Sequence, residues 1–272
     1  MKFGTYLYKE WDRSDCKDRK RTNLHLGLGM KFLPLTLSSI ESNLALDEAL
    51  LEEAEAEQLQ EEVLRLWESP TPAVIVGRSS KIDIEVNVPQ CETENTPILR
   101  RCSGGTSVVL GPGCLVYSCL LSVKLRPQLE NITLAHQEVM THLCKALESI
   151  PKLAGKISWE GTCDLVLDNR KFSGNSLRCK RNWTLYHGTL LYNFPINDID
   201  RLLGYPPREP EYRQKRAHRD FLINLSVNRE TLSKSIQNSW QAEQLLTDWP
   251  EAKTIELLES KYLQPEWHRG KR

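Results

Sequence analysis

No apolar run in this 272-residue chain approaches the roughly 18 residues that a membrane-spanning helix requires. Net charge is missing too, since 36 Lys and Arg balance 36 Asp and Glu, so bulk electrostatics points to no nucleic-acid or membrane partner. Residues 1–29 mix both signs of charge and lack an apolar core, which argues against a secretory signal. Met30 stands just before the first orderly pattern, and residues 1–29 are expected to form a disordered leader. The eight cysteines include no Cys-x-x-Cys pair and none has a histidine at zinc-finger spacing. In "GCLVYSCLLS", Cys114 and Cys119 read as small core residues. Reduced cysteines imply a cytoplasmic location, in which case the sequons at Asn131, Asn182 and Asn224 are chance matches. Also absent are Gly-x-Gly-x-x-Gly and the Walker lysine loop, so any nucleotide must be held by other means.

What is present is an orderly series of short elements. "SSIESNLALDEALLEEAEAEQLQ" opens with Ser38 and Glu41 at capping-box spacing, and Leu46, Ala49 and Leu50 form an apolar stripe, so a helix is predicted. "PAVIVG" and "PILRRCS" read as strands, and "TSVVLGPGCLVYSCLLSV" as two strands around a Gly-Pro-Gly turn. Val139, Leu143, Ala146 and Ile150 predict a second helix from about Thr133. "CDLVLDNRKFSGNSLR" predicts a hairpin turning at Asp168-Asn169, followed by a strand in "TLYHGTLLYNF". "GYPPREPEYRQKRAHRD" reads as a polar surface loop or linker. Two helices are expected after it, the second led by Pro250 with Ile255, Leu258 and Tyr262 on one face. This order predicts an α+β fold with a mixed, mostly antiparallel sheet flanked by helices. Residues 30–272 are expected to form one catalytic domain, the part from about residue 199 contributing its C-terminal helices.

Three stretches carry candidate chemistry. In "RRCSGGTSVV", Gly104 and Gly105 free the backbone for close approach to a ligand, and the arginines beside them suit a phosphate or carboxylate. The plainer reading is a strand ending in a tight turn with exposed cations. In "RKFSGNS", Lys171 sets a point charge beside Ser-Gly, although a solvated hairpin lysine would look the same. In "HGTLL", His187 precedes a glycine on an apolar strand, where a structural histidine is the common case.

Taken in order, "NLALDEALL", "VIVGR", "RRCSGG", "CDLVLDNRKFSGNS" and "YHGTLLYNF" resemble the lipoate–protein ligase family within the class II synthetase-like biotin/lipoate ligase fold, over about residues 30–265. The resemblance implies an enzyme that activates lipoate with ATP and Mg²⁺ to lipoyl-AMP and passes the lipoyl group to a lysine of an acceptor domain. It implies that Arg101, Gly104, Gly105, Thr106, Ser107, Val108 and Val109 hold ATP and the adenylate. Lys171 is the implied catalytic residue, contacting both the lipoyl carbonyl and the phosphate, and Asp164 lies near the phosphates and metal. Lipoate is expected against Lys171, Gly104, His187 and Gly188, with Thr189 completing the wall. The implied partners are lipoyl-acceptor domains of 2-oxoacid dehydrogenase E2 subunits or the glycine cleavage H protein. The chain ends soon after the C-terminal helices, where some ligases carry an accessory domain, so an accessory partner protein is expected.

Three positions depart from the family pattern: Thr106 for a third glycine, Val109-Leu110-Gly111 for an aromatic–His–Asp segment, and Cys163 for an asparagine. One alternative is an octanoyl or lipoyl transferase of the same fold using a cysteine acyl intermediate, for which Cys163 and Cys102 are the candidates. Another is a non-catalytic member that binds lipoate or nucleotide.

Overall fold

The computed structural model describes residues 29–205 and 209–270, so the expected leader lies, Gly29 apart, outside the described residues. β1 (Lys31–Leu33) leads into α1 (Ile40–Glu55). The helix starts one position later than the Ser38–Glu41 spacing predicts. Ser39 is extended and its hydroxyl accepts from the Ser42 amide at 3.1 Å. Such a cap satisfies one free first-turn amide and contributes about 1 kcal/mol.

β2 (Val63–Glu68) is a strand the pattern reading omits, because Arg65 disguises its alternation. Leu64 and Leu66 enter one core cluster, while Val63 and Trp67 enter others and Arg65 is fully buried. β3 (Ala73–Val76), α2 (Ile82–Glu85), α3 (Val88–Thr93), β4 (Ile98–Arg100) and β5 (Val108–Leu110) follow. They build a three-stranded sheet ordered β4-β3-β5. The Gly-Pro-Gly turn therefore does not close a hairpin. It passes the chain from β5 to β6 (Cys114–Ser122) in a second, larger sheet.

α4 (Ile132–Glu148) is capped by Asn131, whose side chain accepts from the Thr133 and Leu134 amides. β7 (Ile157–Glu160), β8 (Asp164–Leu167), β9 (Arg170–Cys179) and β10 (Trp183–Leu191) come next. Asp168 and Asn169 have φ of 51° and 57°, the left-handed pair that a two-residue hairpin turn requires, so the predicted turn lies where expected. α5 (Ile196–Leu202), α6 (His218–Phe221), α7 (Arg229–Ser239), β11 (Gln244–Leu245), α8 (Glu251–Leu257) and α9 (Pro265–Arg269) finish the described chain.

The larger sheet has the order β11-β1-β2-β6-β10-β9-β8-β7 among the described residues. Only β11, β1 and β2 run parallel, and the remaining pairs are antiparallel, in agreement with the predicted α+β class. β6 is buried at every position because helices cover both its faces. Leu115, Tyr117, Cys119 and Leu121 pack with α4 and α7, whereas Cys114, Val116 and Leu120 pack in the clusters that include α1. Cys114 and Cys119 are thus core residues on opposite faces.

The C-terminal face differs from its expected form. Tyr262 is fully buried, but Ile255 is 48% exposed. Leu258–Tyr262 is a π-turn, with the Leu263 amide donating to the Leu258 carbonyl, and this wider turn resets the face so that Thr254 points inward instead.

Candidate active site

Lys171 owes its aim to an irregularity in β9. Asp164 pairs with Gly174 and Leu165 with Ser173, but Val166 pairs with Lys171, leaving Phe172 as an extra residue. This bulge breaks strict alternation, so Phe172 and Ser173 are both buried and the lysine folds back over Gly174. A Cβ on Gly174 would lie 3.0 Å from Lys171 Nζ. Lys171 Nζ lies 2.7 Å from Asp164 Oδ1, and Tyr212 donates its hydroxyl to Asp164 Oδ2 at 2.7 Å. Burial, with the Asp164 charge beside it, pushes the Tyr212 phenol up, so it remains a donor.

Lys171 shares a cleft with Thr106, Ser107, Val108 and Val109 from the Arg-Arg segment and with Thr189 from β10. Gly174, Leu191, Phe221 and Leu222 give it an apolar lining. Along the Arg-Arg segment, every carbonyl from Ser103 to Thr106 is turned into the protein. Ser103 O accepts from the Arg78 amide, Gly104 O from Ser176 Oγ, Gly105 O from Ser80 Oγ, and Thr106 O from Arg101. Among the described residues the amides of Gly104, Gly105 and Thr106 have no acceptor, and all three residues are exposed. Ser107 ends the run, since its amide and hydroxyl both donate to Glu85 at 2.7 and 2.8 Å.

The sequence reading turns Arg101 toward a phosphate. Its side chain is instead buried and donates to Ser103 Oγ and to the carbonyls of Ile75, Gly104 and Thr106. Arg101 is the internal brace of the loop. Arg100 has a different set of acceptors, the carbonyls of Gly77, Arg78, Ser80, Trp267 and His268. Neither guanidinium forms an ion pair among the described residues, and burial holds Arg101 down at about 10. Gly77 makes the crossing possible, because a Cβ there would overlap the Gly105 carbonyl.

His187 and Gly188 lie outside the lining of this cleft. His187 is buried, with Nε2 2.5 Å from Ser103 Oγ and Nδ1 3.8 Å from Asp47 Oδ2. Asp47 is anchored in turn by Arg65 at 2.5 Å and Ser118 at 2.8 Å. The histidine therefore ties the Arg-Arg loop to a buried ion pair on α1 and β2. Gly188 has no room for a Cβ, which would overlap the Asn175 side-chain oxygen. Asn175 uses that space to bond the Cys163 carbonyl at 2.6 Å and to accept from Tyr117.

The polar stretch read as a surface loop forms part of the cleft wall. Gly204, Pro210, Arg213 and His218 all line it, with Phe221 just beyond the stretch, and Arg213 and Phe221 are buried. Glu85, Tyr212, Arg213, His218 and Asn175 are functional candidates that the sequence reading omits. For Tyr212, Arg213 and His218 the only signal is a polar, Pro-rich texture, which a solvated loop shares, and Glu85 and Asn175 carry no local signal.

Neither candidate thiol suits nucleophilic chemistry. Burial, with Asp164 beside it, pushes Cys163 up to about 11, and its Sγ faces the Asn175 carbonyl at 3.1 Å. Cys102 is 3% exposed among apolar side chains, and burial pushes its thiol higher still.

The α+β scaffold thus sets Lys171, paired with Asp164, in one cleft with Thr106, whose amide is free among the described residues. The lipoyl protein ligase A/B catalytic domain family model matches residues 39–244, and the chain belongs to that family. A probable lipoate-protein ligase A of Mycoplasma pneumoniae is 29% identical over 84% of this chain and 68% of its own length. A putative lipoate-protein ligase A of Aeropyrum pernix is 29% identical over 79% and 76%. An octanoyltransferase LipM of Oceanobacillus iheyensis is 25% identical over 77% and 82%. Among solved structures, a bi-partite lipoate protein ligase from Thermoplasma acidophilum, described with its E2 lipoyl domain, shares the fold with a TM-score of 0.72 at 20% identity, covering 90% of this chain and 97% of its own. A lipoate-protein ligase A bound with ATP shares it with a TM-score of 0.69 at 18% identity, covering 89% of this chain and 99% of its own. The fold is that of the class II synthetase-like lipoate ligases.

Proposed function

We propose that this chain is an ATP-dependent lipoate–protein ligase. The observation that carries the reading is the arrangement of residues 103–106, with carbonyls turned inward and the amides of Gly104, Gly105 and Thr106 left without acceptors. Consecutive free amides form an anion cradle, and the buried Arg101 guanidinium, which bonds the Gly104 and Thr106 carbonyls of that loop, adds positive potential. Lys171 shares its cleft with Thr106, the last residue of that run.

In the first half-reaction a lipoate carboxylate oxygen attacks the α-phosphorus of ATP. An acyl–phosphate bond forms, the α–β bond breaks and pyrophosphate leaves. Two anions must meet, and Lys171 with the loop amides offsets their repulsion and stabilises the charge that develops. In the second, a lysine amine of the acceptor domain attacks the acyl carbonyl. Lys171 stabilises the oxyanion, AMP departs and an amide remains. No enzyme nucleophile is needed. Asp164, whose oxygens now meet Lys171 and Tyr212, is the carboxylate that would hold Mg²⁺ beside the phosphates. When bound it would offset phosphate charge.

A transferase with a cysteine acyl intermediate is less well supported, because both candidate thiols are held protonated by burial. The ATP-bound and E2-domain structures of other family members support ATP as substrate and a lipoyl domain as acceptor. The bi-partite make-up of the archaeal ligase favours an accessory partner here as well. The test is incubation with ATP, Mg²⁺ and lipoate, octanoate or biotin. Pyrophosphate release that depends on lipoate is expected. Acyl transfer from an acyl-carrier protein with no pyrophosphate release for any acid would overturn the reading.

A further inference from the structure

Arg213 is a second cation on the wall of the Lys171 cleft, and its bonding is incomplete. It ends the 3₁₀ turn Glu211–Arg213 and is 4% exposed. Its guanidinium lies over the Tyr205 and Phe221 rings, 5.2 and 5.0 Å from their centroids, and Nε donates to the Arg216 carbonyl at 3.0 Å. These contacts fix its plane. Nη2, however, is buried with no hydrogen-bond partner among the described residues. Glu209 Oε2 forms an ion pair with Nε at 3.7 Å, too long for a hydrogen bond, and leaves the Nη2 edge unmet. The neighbouring arginine shows the contrast: Arg216 directs Nε, Nη1 and Nη2 to the carbonyls of Arg213, Asn169 and Tyr212. A buried charged donor left unmet is destabilising, and such groups persist where a ligand completes them.

His218 lies in the fields of both cations. Burial, then the positive charges of Arg213 and Lys171, hold its imidazole below the usual range against the opposing pull of Asp200. Arg213 and Lys171 therefore act on one region of the cleft.

We propose that Arg213 binds the phosphate of the nucleotide, its unmet Nη2 edge donating to a phosphate oxygen in the cleft. The inference rests on the adenylating reading above. A phosphate is favoured over the lipoate carboxylate for a chemical reason. The carboxylate loses its charge when it becomes an acyl group, whereas the α-phosphate stays anionic through both half-reactions. A rigid, buried guanidinium is matched to the anion that persists.

The test is calorimetric titration of the full chain and its Arg213→Met and Arg213→Lys variants with ATP, adenosine and lipoate. Arg213→Met removes the donors while keeping an apolar stem over the rings. It is expected to weaken ATP binding about tenfold or more and to leave adenosine and lipoate within about twofold. Arg213→Lys, which keeps the charge without the fork, should fall between, and it carries the same reading if the Met variant melts early. Unchanged ATP affinity, equal losses for ATP and adenosine, or a loss confined to lipoate would each overturn the assignment. A parent chain that binds no ATP would instead overturn the ligase reading and this inference with it.

Discussion

Lys171 Nζ sits 2.7 Å from Asp164 Oδ1 although the two residues are not paired across their strands. The extra residue Phe172 swings the lysine over Gly174, which is the residue facing Asp164. A side chain that regular pairing would send elsewhere is thereby brought to the cleft. Lys171→Ala is expected to lower adenylate formation or transfer about 100-fold or more, the scale of losing one donor to developing charge. The melting temperature should change little, since the side chain is 26% exposed. Near-normal pyrophosphate release would refute the assigned role.

Two glycine substitutions separate positioning from access. Gly174→Ala sets a methyl 3.0 Å from Lys171 Cε and Nζ, and the flexible ammonium must shift. Turnover is expected to fall about tenfold with little change in stability, given how steeply rate depends on placement. At Gly104 a Cβ meets nothing within 4 Å, so Gly104→Ala should fold normally. If substrate approaches that bare backbone, its KM for ATP rises. A kinetic profile matching the parent's would remove Gly104 from the site.

Gly77→Ala should act through the loop. The added methyl overlaps the Gly105 carbonyl, and backbone cannot move aside as a side chain can. A stability loss of about 1–3 kcal/mol is expected, with ATP binding impaired beyond what unfolding explains. Urea melts together with ATP titration check both halves.

Acid should destabilise the chain in two stages. Burial pushes His136 below 6.5, so the unfolded state takes up this proton first as pH falls. The His142 imidazole 3.8 Å away, together with the Arg126 guanidinium that donates at 2.5 Å, outweighs burial and draws Glu138 from 4.5 to about 2. Asp47 is also depressed, because Arg65 and His187 outweigh the opposing effect of burial. All three groups bind protons more readily when unfolded, so their stabilisation is present at neutral pH and lost on acidification. The urea midpoint should decline below pH about 6.5 and more steeply below about 4.5. Glu138→Gln should flatten the lower stage, and a midpoint constant down to pH 3 would contradict the account.

Cys163→Ala and Cys102→Ala are expected to retain most acyl-transfer activity, because burial keeps both thiols protonated. Loss of nearly all activity in either variant, with folding intact, would restore the thiol-transferase alternative.

Much of the fold was legible because its signals are local. Short apolar runs marked β3, β6 and β10, the Asp-Asn turn marked the β8–β9 hairpin, and helical spacing marked α1 and α4. Arg65 hid β2, since a charge on an inward position makes sense only once Asp47 is seen to meet it. The π-turn at Leu258–Tyr262 hid the true inward face of the C-terminal segment.

By itself the sequence determined the residue types, namely Lys171, Asp164 and the glycine pair of the Arg-Arg segment, because their chemistry belongs to each side chain or to bare backbone. Tertiary structure alone decided their directions. It turned Arg101 from an expected ligand into the brace of a loop, buried His187 beneath that loop, and drew Arg213 from a polar stretch into the wall. The physical reason is that a guanidinium or imidazole binds whichever acceptor packing brings within reach. Those acceptors, some in the same loop and some on strands distant in sequence, are set by how the backbone turns, pairs and is buried, and leave no trace in local spacing.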